Sequence, residues 1–352
     1  MLTSQRLKDG STLAVSELGP GEGRGDTPET RAIWDFIARP FDPWMAPAEA
    51  QWLVRFLAGS TTPQLRDYLY VGRVDGRIVG TAWHATSAAT PEIGAYGFVL
   101  TDAGWRGRGI AQILTERSSA RFWADGGQAI YLGTVNPVAR HVYAKAGYGP
   151  YNGLAMRAVR PGRAPDAFDR EYYAADGPVQ VRPATIGDLG GYTALLLAHE
   201  PVDWRLRDHT EAIFYAPPAL TATGCLRAFY NSLLRHEGNP ANQFLVLVTS
   251  RHRIVASANL AGPAAGGLRG TATLEFQCYP TYRARLGALL SATLDAARAA
   301  GVRLVRAYAD GPGRLEALAE AGFAVESVSR GALHLGASLA DLTIVRCDLG
   351  AA

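Results

Sequence analysis

The sequence predicts an α/β protein built from two similar halves in tandem, each an α+β arrangement of helices around one mixed β-sheet. Three observations predict it. The chain has 352 residues, beyond the roughly 250 to 300 at which single hydrophobic cores stop growing. Strand-like and helix-like runs alternate through its first half. The same order of runs then recurs in its second half.

In the first half, Ser11 to Leu18 reads as a strand and Pro28 to Ile37 and Ala46 to Leu57 read as helices. Tyr68 to Val74 and Arg77 to Thr86 read as a β-hairpin turning at Asp75-Gly76. Ile93 to Leu100 is a further strand, and Gly109 to Ala124 a helix stopped by Gly126-Gly127. Ala129 to Val135 follows as a buried strand, Pro137 to Ala146 as a helix closed by Gly147, and the stretch near Leu154 to Val159 as a last strand. Arg160 to Pro178 carries three prolines and two glycines without periodicity, as an interdomain connection does. The expected division is a domain at 1–162, a linker at 163–178 and a second domain at 179–352.

The second half repeats the pattern: strand Val179 to Pro183, helices Asp188 to His199 and Gly224 to Arg235, strands Gln243 to Thr249, Ile254 to Leu260 and Thr271 to Cys278, helix Leu286 to Ala300, strand Arg303 to Ala309 and helix Gly313 to Ala321. The best local sign of repetition is that Gln128 to Tyr148 and Val302 to Phe323 both run strand, proline-containing turn, helix, then Ala-Gly-aromatic.

Composition narrows the class. Hydrophobic residues make up 48% and charged residues 19% of the chain, and no apolar run approaches the roughly 20 residues a membrane span needs. The polar start Met1 to Gly10 has no secretory signature, so a cytoplasmic protein is expected. Cys225, Cys278 and Cys347 are odd in number and widely spaced, which argues against a disulfide framework and a thiolate zinc site; no metal is expected, and the cysteines read as small core residues. Net charge is +3, with lysine only at Lys8 and Lys145. No long basic run points to nucleic acid.

Chemistry is concentrated in the turn Arg106-Gly107-Arg108-Gly109-Ile110-Ala111, between a strand and a helix. Unpaired amides at a helix N-terminus and the positive end of the helix dipole face one point, which suits an anion. Gly107 and Gly109 let a ligand approach the main chain, and Arg106 and Arg108 add positive charge. A pyrophosphate fits.

The spacing of Arg106, Gly109 and Ala111 resembles motif A of the GNAT superfamily of N-acetyltransferases, in which Arg or Gln is followed at fixed intervals by Gly and by Gly or Ala. Asn136, Ala139, Tyr143, Lys145, Gly147 and Tyr148 resemble that family's second block. The resemblance is clearest from Tyr68 to Val159. It implies a sheet that splays open after the strand Ile93 to Leu100, with the pantetheine arm of acetyl-CoA or another acyl-CoA in the gap. The thioester would lie beside Val99, Leu100 and Thr101, and the amides of Arg106 to Ala111 would hold the pyrophosphate. Asn136 would help fix the cofactor and the splayed strand, and Tyr143 would be the acid that protonates the leaving thiolate. The oxyanion donor would be a backbone N–H near Leu100.

Candidates for the general base are Glu92, at the start of the Ile93 strand, and His84, at the end of the strand before it. A tight hairpin would place the two close together. A water relay is the alternative.

The second half departs from both blocks. Ala284 and Leu286 stand where Gly107 and Gly109 would, and Gly311, Leu318 and Glu320 where Asn136, Tyr143 and Lys145 would. The arrangement resembles double-domain acetyltransferases such as mycothiol synthase, which implies one catalytic half, here the N-terminal one, and one that is structural or lines the acceptor pocket. Trp34, Phe36, Phe41, Trp44 and Trp52, with Trp204, Phe214 and Tyr215, mark aromatic stretches where the family covers its acceptor. The expected function is acyl transfer from acyl-CoA to a small-molecule amine. The alternatives are transfer of an aminoacyl group from a charged tRNA, which requires an arginine-rich surface, and a non-catalytic CoA-binding or interaction protein.

Overall fold

Residues 65–87, buried at nearly every position on both strands, close into the longest hairpin of the first sheet. Its strands are β3, Leu65–Val74, and β4, Arg77–Ser87. The turn takes φ 48° at Asp75 and 79° at Gly76, the pair of positive angles that matches the twist of a two-residue hairpin. In the computed structural model the described residues are 2–21, 25–39, 54–61, 63–151, 155–175, 177–198, 206–208, 213–215, 225–239, 241–262, 270–309, 311–335 and 338–350.

β2, Thr12–Leu18, pairs with β3, and β5, Ile93–Thr101, pairs with β4. β6, Ala129–Gly133, lies parallel to β5 and carries β8, Ala155–Val159, which in turn pairs with β7, Gly149–Pro150. A strand not expected from the sequence, β1, Leu2–Arg6, pairs with β2 and completes the order β1-β2-β3-β4-β5-β6-β8-β7. Its polar sequence lacks the alternating hydrophobics that mark a strand, and that same polarity suits an outermost strand.

The helix Pro28–Ala38 starts at a capping box: Thr27 Oγ1 accepts from Thr30 N at 3.1 Å and Thr27 N donates to Thr30 Oγ1 at 3.0 Å. It buries Ile33 and Ile37. Of the expected helix Ala46 to Leu57, residues 46–53 lie outside the described residues, and Val54 to Leu57 are helical. The helix Ile110–Ala124 packs Ile110, Leu114 and Phe122 into the core formed with Val79, Tyr96 and Ile130. Close packing is possible because Gly80 has no side chain: a Cβ there would stand 2.7 Å from Ile110 Cγ2.

The second sheet is β9, Val179–Pro183; β12, Gln243–Thr249; β13, Ile254–Ala261; β14, Thr271–Cys278; β15, Leu304–Ala309; β16, Ala324–Leu335; and β17, Ser338–Asp348. Its order is β16-β17-β15-β14-β13-β12-β9, and its one parallel pair is β14 with β15. Set beside the first sheet without β1, strand order and directions coincide, so the repetition inferred from sequence is a repetition of topology. β10, Leu206–Asp208, and β11, Ile213–Tyr215, form a separate two-stranded sheet.

The chain forms two compact units, Met1–Phe168 with Ile186–Ala194, and Asp169–Thr185 with Leu195–Ala352. The stretch 163–178, expected as a linker, contains the helix Pro165–Tyr172, with Phe168 and Tyr172 buried. Eight residues with four charges are too short to show a helical period. Cys278 and Cys347 are free and buried. No described helix is long and apolar enough to cross a membrane.

Candidate active site

The loop between β5 and the helix Ile110–Ala124 begins at Asp102, whose Oδ1 accepts from Gly104 N at 3.0 Å and whose carbonyl accepts from Trp105 N at 2.9 Å. After this tight turn Arg106 is extended, Gly107 has φ 80° and Gly109 has φ 91°. Both glycines hold the left-handed geometry that an L side chain resists. The helix therefore starts abruptly, with Gly109 as its cap and no side chain capping it. Among the described residues nothing accepts from the backbone N–H groups of Gly107, Arg108, Gly109, Ile110, Ala111 and Gln112. Six successive donors thus open at the positive end of a helix dipole.

The charges around this loop differ from expectation. Arg108 is committed to an ion pair with Asp9, donates to Gly104 O at 3.3 Å and lies over the Trp105 ring at 4.2 Å. Arg106 Nε donates to Thr101 O at 3.3 Å. The basic group that the sequence reading missed is Lys8, in the β1–β2 turn, whose Cε is the nearest atom, at 4.0 Å, to a Cβ built on Gly109. Its distance in sequence and the unrecognised β1 concealed it.

A gap opens beside this loop. β5 and β6 pair at Ile93 with Ala129, Gly94 with Ile130 and Ala95 with Tyr131, and then part, although β5 continues to Thr101. On the other edge of β5 the register with β4 slips, so that Phe98 and Val99 together face Ala82. This is a β-bulge, and Phe98 sits in it at φ 49°. Val99, Leu100 and Thr101 lie on the free side of the splay, half-buried. Thr101 Oγ1 is buried without a hydrogen-bond partner, an orphaned polar atom of the kind that a ligand satisfies.

Tyr143 lies on the helix Pro137–Lys145, buried edge-on against Tyr96 at 6.0 Å and also 6.0 Å from Tyr148. Tyr96 and Tyr148 have partners, Thr115 Oγ1 at 2.9 Å and Ser119 Oγ at 3.5 Å. The Tyr143 hydroxyl has none among the described residues. Burial pushes its phenol above the usual tyrosine range, so it stays protonated at neutral pH. Asn136 does not tie down the splayed strand: its Oδ1 caps the helix, accepting from Val138 N at 2.9 Å and Ala139 N at 3.3 Å.

His84 and Glu92 are not brought together. His84 pairs with Tyr96 within β4, is 1% exposed, stacks on Tyr68 and Tyr70, and has Nδ1 2.8 Å from Ser118 Oγ. Burial pushes its imidazole down to about 3. Glu92 precedes β5, and its carbonyl accepts from Gln128 N and Ala129 N. That is the end of β5 away from the bulge, roughly 20 Å along the strand from Val99 at about 3.3 Å per residue. Neither position suits the base of a reaction at Val99 to Thr101.

Among the described residues of the second unit these features are missing. Pro280–Arg285 forms a 3-10 helix leading directly into Leu286–Ala299, whose cap Arg285 has φ −103°, and Leu286 is buried. β14 runs beside β13 without a register slip. Its pairing with β15 also ends early, at Leu274 with Ala307, but the opening is filled. Arg314, 1% exposed, donates through Nη1 to Phe276 O at 3.0 Å and through Nε to Tyr308 O at 2.8 Å, and its guanidinium lies 4.3 Å from the Phe276 ring centre. The equivalent position in the first unit is the small residue Ala139.

Of the aromatic stretches, Trp34 and Phe36 are half-buried on the first helix. Phe41, Trp44, Trp52 and Trp204, and the side chains of Phe214 and Tyr215, lie outside the described residues.

The model of the acetyltransferase (GNAT) family matches residues 31–148, which include both sequence blocks. No curated protein matches the chain. Solved structures do. The acetyltransferase of GNAT family from Streptococcus pneumoniae is 15% identical, the match covering 49% of this chain and 99% of that one, with a TM-score of 0.39. The GNAT superfamily phosphinothricin acetyltransferase from Sinorhizobium meliloti, solved in complex with AcCoA, is 19% identical over 49% of this chain and 89% of its own, with a TM-score of 0.38. The ribosomal-protein-S5-alanine acetyltransferase from Vibrio fischeri is 14% identical over 49% and 94%, with a TM-score of 0.39.

Proposed function

We propose, from the match of residues 31–148 to the model of the acetyltransferase (GNAT) family, that the N-terminal unit moves an acetyl or other short acyl group from acyl-CoA to the amine of a small-molecule acceptor. The observation that carries this reading is the run of six unpaired amides at Gly107 to Gln112 beside the splay between β5 and β6. A diphosphate placed on those amides leaves the gap for the pantetheine arm and brings the thioester to Val99, Leu100 and Thr101. Lys8 adds its charge at the diphosphate, and the Asn136 side-chain amide, whose oxygen is occupied, has its nitrogen free to donate to the cofactor.

The acceptor nitrogen attacks the thioester carbonyl carbon, the C–S bond breaks, and the sulfur takes a proton from the Tyr143 hydroxyl. The nitrogen gives up its own proton to water, which then replaces the proton on Tyr143. Backbone N–H groups at the bulge stabilise the charge that develops on the carbonyl oxygen. His84 and Glu92 have no part in this sequence. Catalysis belongs to the N-terminal unit alone, because the second unit has neither the glycine loop nor an open splay.

Isothermal calorimetry with acetyl-CoA tests the reading. One acetyl-CoA per chain is expected, and Gly109→Leu should abolish binding, since leucine resists the left-handed angle and projects into the cradle. Absence of binding by the unaltered protein, or binding that survives Gly109→Leu, would sink it.

A further inference from the structure

Phe98 is the residue of the first sheet whose backbone most needs support, because a bulky side chain at φ 49° is a genuine outlier. Three buried residues supply that support. Thr81 Oγ1 donates to Phe98 O at 2.9 Å, across the slip in register. Trp83 packs edge-on against the Phe98 ring, with centroids 5.4 Å apart, and on Phe56 at 5.1 Å. Its Nε1 donates to Asp67 Oδ2 at 3.2 Å. Thr81 and Asp67 are wholly buried and Trp83 nearly so.

We propose that Thr81, Trp83 and Asp67 are positioning residues for acyl transfer, a buttress that holds Phe98 left-handed and so sets where the backbone of Val99 and Leu100 meets the thioester. Aromatic packing alone leaves an indole free to slide or turn, whereas a hydrogen bond from Nε1 to a fixed carboxylate selects one orientation. A carboxylate is also a poor choice for stability at a position where an aliphatic side chain would pack. The second unit supplies the contrast: its β14 has neither a register slip nor a positive φ, and that unit also lacks the glycine loop. Bulge and anion loop occur together.

The inference rests on the function proposed above, and its test separates the two. Calorimetry compares acetyl-CoA with CoA, which differ only in the thioester carbonyl and methyl. The unaltered protein should prefer acetyl-CoA by about five-fold, the scale of one neutral hydrogen bond. Thr81→Val should bring the two affinities together by weakening acetyl-CoA and leaving CoA unchanged, and Thr81→Ser should restore the preference. Phe98→Gly in the Thr81→Val background should also restore it, since glycine adopts the left-handed angle unaided.

A preference that survives Thr81→Val, equal affinities in the unaltered protein, or a Thr81→Val protein that loses CoA as well as acetyl-CoA overturns the buttress. Failure of the unaltered protein to bind either compound overturns the functional reading instead.

Discussion

Arg108 and Asp9 form an ion pair that joins the glycine loop to the tip of the β1–β2 hairpin. Hydrogen bonds from Ser11, through Oγ at 2.6 Å and N at 3.1 Å, are the main reason the Asp9 carboxyl sits below its usual range, and Arg108 adds to them. The hairpin tip is thereby fixed so that Lys8 stands beside Gly109. An arginine expected to face the ligand is instead paired with the hairpin tip that carries Lys8.

Lys8→Ala should therefore weaken acetyl-CoA binding by about two- to five-fold, the range of a solvent-exposed ion pair. The loss should shrink as salt is raised, because exposed charges are screened within about 10 Å at 0.1 M. Calorimetry at two salt concentrations measures both effects. Lys145→Ala, at the far end of its helix, is the control, and an equal loss there would remove Lys8 from the site.

Tyr143→Phe should lower kcat at least about ten-fold, the low end of what a positioned acid contributes once water can partly replace it. Stability should stay within about 0.5 kcal/mol, because the hydroxyl has no partner among the described residues. Thermal unfolding together with thiol release from acetyl-CoA and an amine panel checks both. A variant that loses stability and keeps its rate would make Tyr143 a core residue.

What could be read from the sequence was local. The glycine turn, the helix after it, Asn136 and Tyr143 fall within two short blocks, and backbone geometry at Gly107 and Gly109 follows from residue type. What could not be read depended on register and on partners distant in sequence. His84 and Glu92 look like neighbours across a hairpin, yet the strands extend to Ser87 and back from Ile93, which moves them apart. Phe98 carries no residue-type signal for a left-handed angle. Lys8 lies in a hairpin whose outer strand is too polar to be recognised. Arg314 looks like any surface arginine until the two carbonyls it bridges are known.

His84 predicts an acid limb in the stability curve. Its folded pKa is pushed down to about 3 by burial, whereas in the unfolded chain it has its ordinary value near about 6.5. Between those values the unfolded state binds one proton more, so stability is full above about pH 6.5 and falls as pH drops, by about 1.4 kcal/mol per pH unit. Urea denaturation at pH 7, 6 and 5 should show the decline, and His84→Gln should flatten it. Catalysis should not follow the same titration, because the imidazole is sealed against Ser118, Tyr68 and Tyr70. A pH–rate profile that tracks the pKa of whichever amine is supplied is the expected result. A fixed inflection near 6.5 with every amine would return a histidine to the mechanism.

Arg314 predicts how the second unit responds to losing its internal plug. The guanidinium donates to Phe276 O on β14 and Tyr308 O on β15, so one planar group bridges strands that no longer pair with each other. Arg314→Leu removes both bonds, strands two carbonyls and leaves space beside the Phe276 ring. Destabilisation of about 2 to 5 kcal/mol is expected from the combined loss of hydrogen bonds and packing. Arg314→Lys should recover little, since a point charge on a flexible stem cannot present the planar fork that reaches both oxygens. Stoichiometry distinguishes this structural role from a suppressed second site. Acetyl-CoA should still bind once per chain in both variants, because without glycines at residues 284 and 286 the helix Leu286–Ala299 has no left-handed loop to open its amides. A second equivalent of acetyl-CoA bound by Arg314→Leu would mean that the arginine, rather than the lost loop, is what closes that unit to the cofactor.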